Sequence, residues 1–183
     1  MHIINKIVKI IILFQIIFAI PIQQVYDNAE PFGIFDKYLI LQHDEVYTGT
    51  IGIYEGNIFI EGNGAVLDLV NGLGIWVYSS QEPPVNLNIE YLNIINGSEY
   101  GITFMGNSTG NIENCNFVNN DFGLKIFDTV NVQVKNSNFI GCSTYAFGLW
   151  GNPITQEIDA EIDVQYCNFW NNINGDLQEN CPG

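Results

Sequence analysis

Four segments of the chain superpose without gaps: Leu87–Asn96, Gly110–Asn119, Val132–Gly141 and Ile162–Asn171. Asn93, Asn116, Asn138 and Asn168 occupy the same position in each, at spacings of 23, 22 and 30 residues. The long third spacing places an insertion at Asn152 to Asp159. The first three segments are each followed by an aromatic residue, a glycine and an aliphatic residue: Tyr100-Gly101-Ile102, Phe122-Gly123-Leu124 and Phe147-Gly148-Leu149. Gly74-Ile75 is an earlier copy of that element. Self-similarity at this period describes a chain of stacked units, none of which buries its apolar face alone.

Within a unit the apolar residues alternate, as in Ile112, Cys115 and Phe117 followed by Leu124 and Ile126, with an Asn-rich corner between. Alternation is the signature of short strands. A parallel sheet ordinarily needs crossovers of a dozen or more residues, and units of this length have no room for them. Stacking each coil on the one before gives every strand a parallel neighbour ~4.8 Å away.

These coils, with the opening turn Asn57-Ile-Phe-Ile-Glu-Gly-Asn-Gly-Ala-Val-Leu-Asp68, resemble the right-handed parallel β-helix group that includes pectate lyases and polygalacturonases. The resemblance covers residues 46 to 172 and implies an all-β fold, a right-handed parallel β-helix of about five to six coils. Around it the chain divides into an apolar leader over 1–22, a lead-in over 23–45 and a tail over 173–183. The last coil ends near Asn172 with no evident cap, so either more coils or a partner is expected to cover its edge.

The leader carries Lys6 and Lys9 before the apolar runs Ile10–Phe14 and Ile16–Ile20, the pattern of an export signal. It is short for a membrane span. A secreted or cell-surface location is the expectation, with no span after the signal. The 20 acidic residues face five lysines and no arginine, a net charge of −15 that repels phosphate backbones and anionic membranes. Nucleic acid is not an expected partner.

Aligning the repeats predicts the inward columns Ile89, Ile112, Val134, Val164 and Leu92, Cys115, Ser137, Cys167, together with a stack of Phe117, Phe139 and Phe169. Asn96, Asn119 and Asn171 recur at one bend, where their amides are expected to pair. Cys115 and Cys167 lie two coils apart, ~9.6 Å, beyond disulfide reach. They read as core residues, while Cys181 in the tail has Cys142 or Cys167 as candidate partners.

Two outward features carry functional expectations. The residue after each Gly-aliphatic pair should point out, giving the column Trp76, Thr103, Lys125, Trp150. Indole faces three coils apart suit stacking on a polysaccharide, so these four residues are the expected glycan platform. A second column, Ile95, Val118, Ile140, Trp170, is apolar throughout and reads as an association surface or as a strip beneath loops. Glu157, Asp159, Glu161 and Asp163 alternate along one strand face; Glu161 and Asp163 are the pair that calcium would take if any cofactor is used.

The enzymes of the resembled group use an arginine base with acidic calcium ligands, or paired aspartates with histidine and Arg-x-Lys motifs. This chain has no arginine, no Asp-Asp pair and, after the leader, only His43. The expected function is therefore a non-catalytic binding or adhesion module for polysaccharide or cell-surface material. The alternative is part of a polysaccharide lyase or glycoside hydrolase. Neutral glycans should be preferred over polyuronates, which the acidic surface repels.

Overall fold

The computed structural model describes residues 19–127, 130–151 and 160–177. Its strands fall into three parallel sheets wound as a β-solenoid of about six turns. Sheet 1 contains β1 (Ile20–Pro21), β3 (Val46–Thr48), β6 (Val66–Asp68), β9 (Asn93–Ile95), β12 (Asn116–Val118), β15 (Asn138–Ile140) and β18 (Asn168–Trp170). Sheet 2 contains β4 (Ile51–Ile53), β7 (Ile75–Ser79), β10 (Tyr100–Gly106), β13 (Phe122–Phe127) and β16 (Tyr145–Trp150). Sheet 3 contains β2 (Lys37–Ile40), β5 (Asn57–Glu61), β8 (Val85–Glu90), β11 (Ser108–Glu113), β14 (Asn131–Lys135) and β17 (Glu161–Gln165). Each turn runs from sheet 3 to sheet 1 to sheet 2.

Pairing begins ahead of residue 46, because β2 already lies against β5. The helix α1 (Ile22–Asp27) caps the first turn with Ile22 fully buried, and Ile20 pairs with Tyr47. The end of the expected leader and the lead-in thus contribute to the cap. At the other end the chain turns after β18, and Leu177 bridges Phe147 at the edge of sheet 2. The insertion at 152–159, with Glu157 and Asp159, and the end of the tail at 178–183, with Cys181, lie outside the described residues.

The repeat register places like residues on like. Ile89, Ile112, Val134 and Val164 are cross-strand partners, and Phe117, Phe139 and Phe169 likewise. The Phe117 and Phe139 rings are stacked at 4.6 Å and 5°, and Phe139 and Phe169 at 5.6 Å and 16°. A Cβ at Gly123 would fall 2.4 Å from Phe139, so a side chain there would displace the stack. The core residues Leu92, Cys115 and Ser137 are buried as expected, and Cys167 is half-buried at the last turn.

The corners differ from the expectation in one respect. Asn96, Asn119 and Asn171 have φ of 60°, 56° and 55°, and Gly141 shares their position at 65°. They recur because asparagine and glycine tolerate the left-handed conformation. The amide ladder runs instead through the register residues: Asn116 donates to Asn93, Asn138 to Asn116 and Asn168 to Asn138, at 2.6, 2.6 and 2.9 Å. Turn backbone is satisfied by a third set. Fully buried Asn120 accepts from the Gly97 N–H at 2.8 Å and donates to the Ile94 carbonyl at 3.0 Å. Asn172 treats Cys142 and Phe139 in the same way.

Stacking like on like is costly for carboxylates. Glu61, Glu90 and Glu113 are successive partners on the outer face of sheet 3, with Lys135 next in the column. Desolvation first, then Glu61 and Glu113, push the Glu90 carboxyl above its ordinary pKa. The hydrogen bond that Tyr38 donates to Glu61 at 2.7 Å holds its phenol up at about 12.

Two outcomes are expected. Phe139→Ala removes the middle ring of the stack and should cost about 3–5 kcal/mol in urea unfolding; a loss below about 1 kcal/mol would place the ring outside the core. A raised folded-state pKa at Glu90 contributes stability below its unfolded pKa and loses it as pH rises through the folded value. Glu90→Gln should therefore raise the melting temperature at neutral pH by about 1–3 °C. That difference should shrink to nothing when the melts are repeated below the unfolded pKa.

Candidate functional site

The outer face of sheet 2 carries the residues expected to form a platform. Trp76 pairs with Thr103, and Thr103 with Lys125, as the repeat alignment requires. Trp150 does not follow them: Lys125 pairs with Gly148, and Trp150 sits two residues further on, opposite Phe127. The reason lies in the core. Phe147 turns inward opposite Leu124, where it packs 4.6 Å from Phe139 and 5.6 Å from Phe169. The structural counterpart of Phe122-Gly123-Leu124 is therefore Tyr145-Ala146-Phe147, a slip of two residues that preserves inside and outside but shifts the column.

Glycine returns Trp150 to the column by another route. Its ring folds back over Gly148, where a Cβ would lie 2.3 Å from the indole. Tyr54 does the same at the opposite end, over Gly52, at 2.6 Å. Both glycines leave an outward site empty so that an aromatic ring two residues later can fill it.

The half of this face nearest the C-terminus is satisfied internally. The Lys125 ammonium lies 4.9 Å from the Trp150 ring centre, 5.1 Å from Phe122, 5.9 Å from Phe127 and 6.0 Å from Tyr100. Its Nζ is also 3.9 Å from a Glu99 carboxylate oxygen, and its side chain is only 19% exposed. Such cation–π contacts are worth about 0.5–2 kcal/mol each, which makes this lysine a clamp between rings. Thr103, expected to be exposed, is 1% exposed and donates its hydroxyl to the Lys125 carbonyl at 2.8 Å. Thr103 and Lys125 are thus packing residues, and a ligand cannot lie flat across all four expected positions.

The other half is open. Trp76 meets Tyr54 at 6.2 Å and Tyr78 at 6.5 Å, both at steep angles, and Tyr54 is 55% exposed. The Trp76 indole N–H is buried without a hydrogen-bond partner, and its ring packs against both tyrosines. Tyr54 and Tyr78 wall a cleft of about 340 Å³ whose other side is Glu55, Gly56 and the loop from Ser79 to Pro83. The loop is tied down: the Ser79 hydroxyl accepts from the Gln81 N–H and donates to the Gln81 carbonyl, both at 3.1 Å, and Asn107 donates its side-chain amide to the Gln81 carbonyl at 2.9 Å. A second cleft of about 430 Å³ shares Glu55, Gly56 and Pro83 and reaches Tyr26, Asp36 and Lys37 at the cap.

Tyr54, Tyr78, Glu55 and Glu82 were not among the expected site residues. A signal for the first does exist in the sequence: Gly52-x-Tyr54 repeats the Gly148-x-Trp150 spacing. The cleft wall itself comes from a loop outside the repeat, which alignment of the coils cannot place.

Other candidates have structural roles. Asp163 accepts from Gln133 at 3.0 Å and from Gln165 at 2.8 Å, bonds that hold its carboxyl below the ordinary range. Glu161 accepts from Asn131 at 3.3 Å. Among the described residues no three His, Cys, Asp or Glu side chains converge as metal ligands. Burial pushes the Cys115 and Cys142 thiols up to about 12, far from nucleophilic use.

His43 lies exposed at a turn between the Asn63 carbonyl and Asp44. The apolar column Ile95, Val118, Ile140, Trp170 is in register on the outer face of sheet 1 and ends on Trp170, 72% exposed. No helix among the described residues is long and apolar enough to cross a membrane.

Compared with known proteins, residues 43–180 match the family described as right handed beta helix region. No curated protein and no solved structure matches the chain. The matched segment spans the coils from the turn before β3 through β18, the same parallel stack that the strand register describes, and the chain belongs to the right-handed β-helix family.

Proposed function

We propose that the protein is an exported, non-catalytic binding module that holds a polysaccharide at the Tyr54, Trp76 and Tyr78 rings beside the adjoining cleft. The observation that carries this reading is a concave, polar-walled depression of about 340 Å³ lined by the Tyr54 and Tyr78 side chains, both of which pack against Trp76. Sugars present apolar C–H faces and a rim of hydroxyls, so they bind where rings meet hydrogen-bonding groups. Glu55, Glu82 and the Ser79–Gln81 backbone supply the polar side. The anchored loop supports pre-organised binding, which reduces the ordering cost of association. Export is supported by the apolar leader with its two lysines.

The test is affinity electrophoresis and calorimetry on a panel of neutral and acidic polysaccharides, with calcium and with chelator. A Tyr54→Ala, Trp76→Ala double variant should keep its circular dichroism spectrum and lose affinity by about tenfold or more. Trp150→Ala, which disturbs only the Lys125 clamp, should bind as the parent does. Equal binding by parent and double variant would remove this reading. New reducing ends or unsaturated products would replace it with an enzymatic one.

A further inference from the structure

None of the lysines in the described residues lines the 340 Å³ cleft, and Lys37, which lines the adjoining second cleft with Glu55, is engaged elsewhere. Lys37 donates to the Tyr26 carbonyl at 2.9 Å and lies over the Tyr26 ring. Lys125 sits among its four rings, and Lys135 stands in the column beside Glu113. The chain has no arginine. The ion pairs among the described residues are His43–Asp44 and Lys125–Glu99, so neither Glu55 nor Glu82 has a cationic partner there. The cleft therefore combines two carboxylates that have no ion-pair partner among the described residues with two phenol rings, in a molecule of net charge −15.

That combination suits one kind of sugar better than others. A neutral hydroxyl satisfies a carboxylate with an ordinary hydrogen bond. A protonated amine satisfies it with a charge-assisted one and gains further from the face of a neighbouring ring. A uronate is repelled. The same chemistry appears inside the protein itself at Lys125, where an ammonium lies among aromatic rings with a glutamate at their edge.

We propose that this cleft selects glycans bearing free amino groups, of the glucosamine type without N-acetylation. The proposal rests on the binding reading above and adds the ligand class. In binding, the ammonium sits between Glu55 and Glu82 while the ring of the sugar, or of its neighbour, rests on Tyr54 or Tyr78.

The test compares glucosamine, N-acetylglucosamine and glucose oligomers of equal length by calorimetry at a mildly acidic pH that keeps the amine protonated. The parent protein should prefer the glucosamine oligomer by about tenfold, with the preference falling as salt rises. A Glu55→Gln, Glu82→Gln variant should lose the discrimination and bind the glucosamine oligomer no more tightly than the two neutral ones. Equal affinity of the parent for the three oligomers would overturn the proposal and leave the binding reading standing. A preference that survives in the double variant would also overturn it, since adsorption to the acidic surface in general scarcely notices two charges in 15. Failure to bind any of the three would overturn the proposal, and failure to bind any glycan of the wider panel would overturn the binding reading with it.

Discussion

Parallel in-register stacking is the constraint from which the rest of this structure follows. A strand whose neighbour lies ~4.8 Å away in the same direction sets each residue beside its counterpart in the next coil. Every column must then tolerate its own repetition. Phenylalanines do so by stacking, as Phe117, Phe139 and Phe169 show. Asparagines do so because each amide carries both donor and acceptor, and the ladder from Asn93 to Asn168 uses both. Glutamates do so badly: burial first, and then the neighbouring Glu61 and Glu113, raise the Glu90 pKa, and Lys135 continues the column.

The same constraint explains how the molecule makes a non-repeating surface. A column of identical large side chains on sheet 2 would be uniform and flat. Glycines at positions 52 and 148 break it by letting Tyr54 and Trp150 fold back. At one end the returning ring closes over Lys125. At the other it meets Trp76 and leaves a depression beside it. The two ends of one sheet thus become a closed packing unit and an open cleft through the same device.

The cleft's character then depends on where the few positive charges are spent. Each described lysine is held by backbone carbonyls, by rings or beside a glutamate column. The acid excess is left on the surface and in the cleft. Shape and charge there are set by different parts of the chain: the coils position the tyrosines, and the anchored Ser79–Pro83 loop supplies the opposing wall.

Much of the architecture was legible in the sequence because stacking is a periodic demand. The positions of Ile112, Val134 and Phe139, and the register through the four asparagines, follow from spacing alone. The sequence also determined that the chain has no arginine and no Asp-Asp pair for the chemistry of the resembled enzymes. What it left undecided were contests between neighbouring residues of similar character. Phe147 and Leu149 both suit the core, and only the packing of Phe147 against Phe139 and Phe169 decided which one stands opposite Leu124. Trp150 moved with that choice. Thr103 was outward by alternation yet buried by the side chains around it, and Asn96 was a corner residue by backbone conformation while Asn93 carried the ladder. Periodicity specifies which side of a strand a residue faces. How far a side chain reaches over its neighbours, and which loop closes above them, is settled only when the coils are packed together.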